Sequence, residues 1–109
     1  MIISGGVNIY PAEVEGVLSA HAGIADAAVF GIPDEEMGER VMAVIEPVPG
    51  ATFDATMLDE LEALCRSQLA GYKCPRSWEA VEQLPRNEAG KLVKRTLRDP
   101  YWATTEREI

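Results

Sequence analysis

Apolar positions along the chain switch between the two-residue period of a strand and the longer period of a helix. Met1-Ile-Ile-Ser4 and Val7-Asn-Ile9 flank Gly5-Gly6, a two-residue glycine turn that predicts a short β-hairpin at the start of the chain. Pro11 stands where a helix start tolerates it. From Ala12 to Ala20, Val14, Val17 and Leu18 share one face at helical spacing, and His21 and Gly23 mark the end of that helix. Ile24 to Ile32 is rich in β-branched and small apolar residues and stops at Pro33. This predicts a strand whose partner runs from Arg40 to Glu46, with Pro33–Glu39 as the connecting loop. After the break at Pro47-Val-Pro-Gly50, Leu58, Leu61, Leu64, Cys65 and Leu69 line one stripe of a helix over Thr56–Leu69. Gly71 stops it. Ser77 to Val81 reads as a third strand with Trp78 and Val81 turned inward, and Leu92 to Arg98 as a last short helix. The expected fold class is α+β: a small, mostly antiparallel three-stranded sheet packed with helices on one side, plus the N-terminal β-hairpin.

Composition narrows the function classes. The chain has 109 residues, enough for one small domain but not for a large nucleotide cleft with its own substrate pocket. Asp and Glu number 18 against 10 Lys and Arg, a net charge of −8 that argues against nucleic-acid binding. The basic residues cluster late, between Lys73 and Arg98, so one end is locally positive. Cys65 and Cys74 lack the spacing of a zinc site or a disulfide framework and read as reduced packing residues. The acidic loop Pro33–Glu39 lacks the alternating ligands of a calcium loop, so no metal site is expected, and His21 reads as a helix C-terminal residue. No apolar run approaches a membrane span and no leader pattern opens the chain, which makes the cytoplasm the expected location.

One residue stands out chemically. In Leu84-Pro-Arg-Asn-Glu-Ala-Gly-Lys91, Gly90 can take the positive φ that a tight turn needs and Pro85 stiffens the approach. The ammonium of Lys91 is therefore presented at a loop tip, where a compact cation suits contact with a developing anion.

Four ordered segments carry a family resemblance. Ile3-Ser-Gly-Gly-Val-Asn-Ile-Tyr-Pro-Ala-Glu-Val-Glu15, Gly31-Ile-Pro-Asp-Glu-Glu-Met-Gly-Glu39, Tyr72-Lys-Cys-Pro75 and Leu84-Pro-Arg-Asn-Glu-Ala-Gly-Lys91 resemble segments of the C-terminal domain of adenylate-forming acyl-CoA synthetases. The family also includes luciferases and the amino-acid-activating domains of peptide synthetases. The resemblance implies a domain over residues 1–99, a tail over 100–109, and a mobile lid of a fatty-acid-CoA ligase. In such an enzyme a carboxylate and ATP form an acyl-adenylate, and coenzyme A then displaces AMP. It further implies that Lys91 is the catalytic lysine of adenylation. Gly5 and Gly6 would let the pantetheine arm of coenzyme A pass close to backbone, and Asn8 would lie near the adenylate. ATP and coenzyme A are then substrates, and Mg2+ is held mainly by the N-terminal adenylate-binding domain that is the implied partner. That domain's phosphate-binding loop and acyl pocket have no counterpart here, so the chain alone is expected to be an inactive fragment or a separately encoded lid. Lys73, Arg86 and Lys94 read as solvated surface charge rather than a phosphate site, and Glu13 and Glu15 as helix-opening carboxylates.

Two alternatives remain open on the residues alone. One is a freestanding protein-interaction module with this fold and no catalysis. The other is the lid of a peptide-synthetase adenylation domain.

Overall fold

Five strands and three α-helices follow one another in a computed structural model that describes the backbone of residues 1–108 and the side chains of residues 1–103. They are β1 (Ile2–Ser4), β2 (Val7–Ile9), α1 (Pro11–Leu18), β3 (Ile24–Asp34), β4 (Gly38–Pro47), α2 (Ala55–Gln68), β5 (Ser77–Ala80) and α3 (Lys94–Glu108), with a 3-10 turn at Gly71–Lys73. The β3–β4 ribbon is the spine. It pairs antiparallel from Ile24↔Pro47 to Asp34↔Gly38, longer than the apolar runs alone suggest, and leaves only Glu35, Glu36 and Met37 between the strands. On the other edge of β4, β1 joins antiparallel at Ser4↔Gly38 and β5 lies parallel along Met42–Ile45. The sheet is therefore five-stranded and mostly antiparallel, and the N-terminal hairpin is part of it.

The helices do not sit on one side, as the sequence led us to expect. Odd-numbered residues of the ribbon (Ala27, Val29, Val41, Ala43, Ile45) join Val14 and Leu18 of α1, Met57, Leu61 and Cys65 of α2, and Ile2 and Ile9 of the hairpin in one core. Even-numbered residues (Ala28, Phe30, Ile32, Met42, Val44) form a second core with Leu84, against which Val81, Leu92, Leu97 and Tyr101 pack. The reason lies in the strands. Residues 27–32 and 41–45 are buried without interruption, the mark of a strand covered on both faces, so a second layer is obligatory. Trp78 and Val81, both expected inward, accordingly pack on different faces.

A bulge at the start of β3 sets its parity. Ile24 pairs with Pro47 and Asp26 with Glu46, leaving Ala25 without a partner. Ile24 thus stays in the core shared with α1 and α2, while the pairing of Asp26 with Glu46 continues the even-numbered face.

The last helix corrects a second expectation. Residues 100–103 do not form a tail: α3 runs through Pro100 to Glu108, and it packs on β3. The Tyr101 hydroxyl donates to Glu79, and the Trp102 indole N–H donates to the Gly31 carbonyl at 2.9 Å. That bond also protects the outer edge of β3, where Glu15 of α1 accepts from the Val29 N–H at 2.9 Å. An edge covered in this way cannot recruit another strand. At the start of α2, Asp54 caps the helix by accepting from the Met57 N–H at 2.9 Å, and Met57 rather than Leu58 is buried.

Candidate functional site

The structure brings Gly5, Gly6 and Asn8 together and sets Lys91 apart from them. Ser4 and Val7 pair across Gly5-Gly6, whose φ values of 58° and 81° make the two-residue turn that glycine alone adopts freely. The turn leans on the β3–β4 connection. The Gly5 N–H donates to the Met37 carbonyl at 2.9 Å, and a Cβ at Gly5 would meet the Met37 sulfur at 3.0 Å, whereas one at Gly6 would meet nothing within 4 Å. Asp34 holds that connection in shape, its Oδ1 accepting from the Glu36 and Met37 N–H groups at 3.0 and 2.9 Å. These backbone bonds, led by the one from Met37, hold the Asp34 carboxyl below its ordinary value. Asn8 is exposed on the edge strand β2 opposite Ile3.

Lys91 sits in a turn built by an amide. Asn87 Oδ1 accepts from the Ala89 and Lys91 N–H groups at 2.9 and 3.0 Å, and the Asn87 backbone closes both ends, accepting from Gly90 and donating to the Lys91 carbonyl at 2.9 Å each. Gly90 has the expected positive φ, 81°. Arg86 and Leu92 bridge across the base of the turn, and the Val93 N–H donates to the Pro85 carbonyl. Lys91 is exposed and in no ion pair among the described residues.

The basic residues that sequence reasoning treated as solvated charge have fixed partners. Lys73 pairs with Glu13 at 2.9 Å, and the hydrogen bond it donates to the Glu13 carboxylate raises the Lys73 pKa above its ordinary value. Lys94 pairs with Glu15, whose carboxylate also bonds Val29, and Arg86 pairs with Asp26. Glu15 is therefore a tie between α1, β3 and the start of α3, not a helix-opening charge. His21 accepts from the Gly23 N–H and meets Glu60 at 3.0 Å, joining the end of α1 to α2. Burial pushes the Cys65 thiol up to about 11, in keeping with a packing role.

The two turns stand at opposite ends of the ribbon. Leu84 is bonded to Glu46 and Arg86 to Asp26, two residues that face each other across one rung, while the glycine turn meets Met37 beyond the Asp34–Gly38 rung. Eight residues of strand separate these ends, about 26 Å at ~3.3 Å per residue. Asn87, Arg86 and Asp26 were missed as site residues. Asn87 had a local signal, an Asx turn before a glycine, but Asp26 and Arg86 lie 60 residues apart and only the fold joins them.

A family model described as AMP-binding enzyme C-terminal domain matches residues 13–91, ending on Lys91 itself. The chain belongs to the AMP-binding enzyme C-terminal domain family. It is 48% identical over 99 residues to a 3-[(3aS,4S,7aS)-7a-methyl-1,5-dioxo-octahydro-1H-inden-4-yl]propanoyl:CoA ligase of Rhodococcus jostii (strain RHA1), covering 91% of this chain and 19% of the relative. It is 40% identical over 104 residues to a long-chain-fatty-acid–CoA ligase, FadD13, of Mycobacterium tuberculosis, covering 95% of this chain and 20% of the relative. Among solved structures, an acyl-CoA synthetase of Brucella canis superposes with a TM-score of 0.88 at 32% identity over 95% of this chain and 19% of that one. This AMP-binding enzyme C-terminal domain thus spans about a fifth of the length of the relatives it matches. No helix among the described residues is long and apolar enough to cross a membrane. Nor do the described residues gather three or more His, Cys, Asp or Glu side chains that could hold a metal ion.

Proposed function

We propose that this domain is the mobile lid of an ATP-dependent, AMP-forming acyl-CoA ligase of the cytoplasm, acting on a fatty acid or a similar apolar carboxylic acid. Its partner is the N-terminal adenylate-binding domain of the same enzyme. In the first half-reaction a substrate carboxylate attacks the α-phosphate of ATP and pyrophosphate leaves. Negative charge gathers on the reacting oxygens, and the exposed ammonium of Lys91, in no ion pair among the described residues, is suited to stabilise it. In the second, the thiol of coenzyme A attacks the acyl carbonyl and AMP leaves. Gly5 and Gly6 present a turn without side chains, along which the thin pantetheine arm can lie against backbone, with Asn8 beside it near the adenylate.

The observation that supports this reading best is the separation of the two turns on one stiff ribbon. Groups at opposite ends of the β3–β4 pair cannot serve one small reacting centre together. A rigid-body rotation of the domain would bring each in turn to the same cleft. The matched relatives differ in the acid their names describe, which fits a lid that supplies chemistry while the rest of the enzyme selects the acid.

The test is to measure the two half-reactions separately in the complete ligase. Lys91→Ala lowers acyl-adenylate formation about 10²–10³-fold, the effect of removing one electrostatic donor at a reacting oxygen. Thioester formation from preformed acyl-adenylate stays within twofold of wild type. If both half-reactions are unchanged, Lys91 is an ordinary turn lysine and the domain acts by binding alone.

A further inference from the structure

We infer that Asp26 is a positioning residue for Lys91, acting through Arg86; this rests on the adenylation role proposed above. The Arg86 guanidinium donates through Nη1 to the Gly90 carbonyl at 3.2 Å and through Nη2 to Asp26 Oδ2. The carbonyl of Gly90 and the N–H of Lys91 belong to one planar peptide unit. Arg86 holds its oxygen and Asn87 holds its N–H, at 3.0 Å, so the plane is pinned from both sides. Pinning the plane fixes where the next Cα sends its side chain. That Cα carries the Lys91 ammonium.

The pin needs a rigid base, and the sheet supplies it. Residues 86–91 are exposed, and bonds within the turn set its shape without setting its direction relative to the sheet. Asp26 is different. Its Oδ1 accepts from the Ala27 N–H at 2.8 Å, which orients the carboxylate and leaves Oδ2 for Arg86. The bulge at Ala25 is what turns Asp26 to the face where the lysine segment packs, while Ile24 remains in the opposite core. An exposed ion pair contributes little to stability, so this contact matters through geometry. The fork of an arginine can reach a carbonyl and a carboxylate together, which a lysine ammonium at the same place does less well.

The experiment uses the complete ligase, with both half-reactions measured for Asp26→Asn, Asp26→Glu, Arg86→Ala, Asp26→Asn with Arg86→Ala, and Lys91→Ala as reference. Asp26→Asn keeps an acceptor for Ala27 but loses the charge that holds Arg86. It lowers the kcat of adenylation about tenfold, in line with the loss from a small misplacement of a reacting group, with the KM for ATP unchanged. Thioester formation from preformed adenylate stays within twofold, and Asp26→Glu recovers most of the adenylation rate. The double variant is no slower than Arg86→Ala alone, because both changes break one chain of contacts. Should Asp26→Asn not accumulate as folded enzyme, Arg86→Lys reads the same coupling and shows the same selective loss. The inference is overturned if Asp26→Asn adenylates within twofold of wild type while Lys91→Ala is at background, or if it slows both half-reactions alike. It falls together with the proposed role of Lys91 if Lys91→Ala itself adenylates normally.

Discussion

The glycine hairpin and the lysine turn look alike in sequence, each an exposed turn around glycine with positive φ, yet they are held in opposite ways. The hairpin is shaped by its strands and supported from outside by the carbonyl of Met37, whose N–H is held by Asp34. The lysine turn is shaped from inside by Asn87 and then tied to the sheet by Arg86. A turn that offers bare backbone needs only its path defined. The lysine turn has its peptide planes fixed as well, by the side chains of Asn87 and Arg86.

The contrast can be pressed hardest at Asn87. Asn87→Ala removes the acceptor of two N–H groups in the lysine turn and none in the hairpin. Adenylation falls about tenfold, equivalent to ~1.4 kcal/mol, while thioester formation stays within twofold. Asn87→Asp, which keeps the Oδ acceptor, restores most of the rate in the same half-reaction assay. A uniform loss in both steps would erase the distinction between the turns.

A smaller effect separates the glycines themselves. Gly5→Ala forces a side chain into φ +58° and against the Met37 sulfur, whereas Gly90→Ala meets the strain of φ +81° in open space. A non-glycine residue in the left-handed region is disfavoured by about 1–2 kcal/mol. Denaturant titration should therefore rank Gly5→Ala below Gly90→Ala in stability, and adding Met37→Ala should recover part of the difference for Gly5 alone. Equal losses would mean that the hairpin does not lean on Met37.

The smallest effect is one of pH. The Asp34 carboxyl is held below its ordinary value by backbone bonds from the turn that supports the hairpin, so its folded-state pKa lies below its unfolded one. Its contribution to stability is then present above the unfolded value and is lost as pH falls through the folded one. The protection of the Glu36 and Met37 amides, taken relative to intrinsic exchange at each pH, should fall as pH drops through the folded-state value, and Asp34→Asn should flatten that dependence. Asn87, the corresponding acceptor in the lysine turn, is an amide and has no carboxyl proton to gain. If the Ala89 and Lys91 amides follow the same acid profile, the two turns are not independently supported.

Much of this is legible in the sequence. Gly5-Gly6 between two apolar pairs specified a hairpin, and Gly90 before Lys91 specified a positive-φ turn, because each depends on local steric rules. The uninterrupted apolar runs in β3 and β4 also carried a message that the alternation rule hides: both faces must be covered. Reading Pro100 as the start of a tail missed how much tertiary packing can override a helix breaker, here through Tyr101 and Trp102 against the sheet.

By itself, then, the sequence determined most of the elements, the two glycine turns, the family motifs and the exposed setting of Lys91 after a positive-φ glycine, since all of these rest on interactions within a few residues. Only the tertiary structure decided which face α3 covers and that Lys73, Arg86 and Lys94 are paired within the domain. It alone anchored the two turns at opposite ends of the ribbon, rungs about 26 Å apart at ~3.3 Å per residue, and joined Asp26 to Arg86. Those are contacts between residues far apart in the chain, and no local rule encodes them. They exist because burying both faces of one ribbon brings distant segments to the same rung.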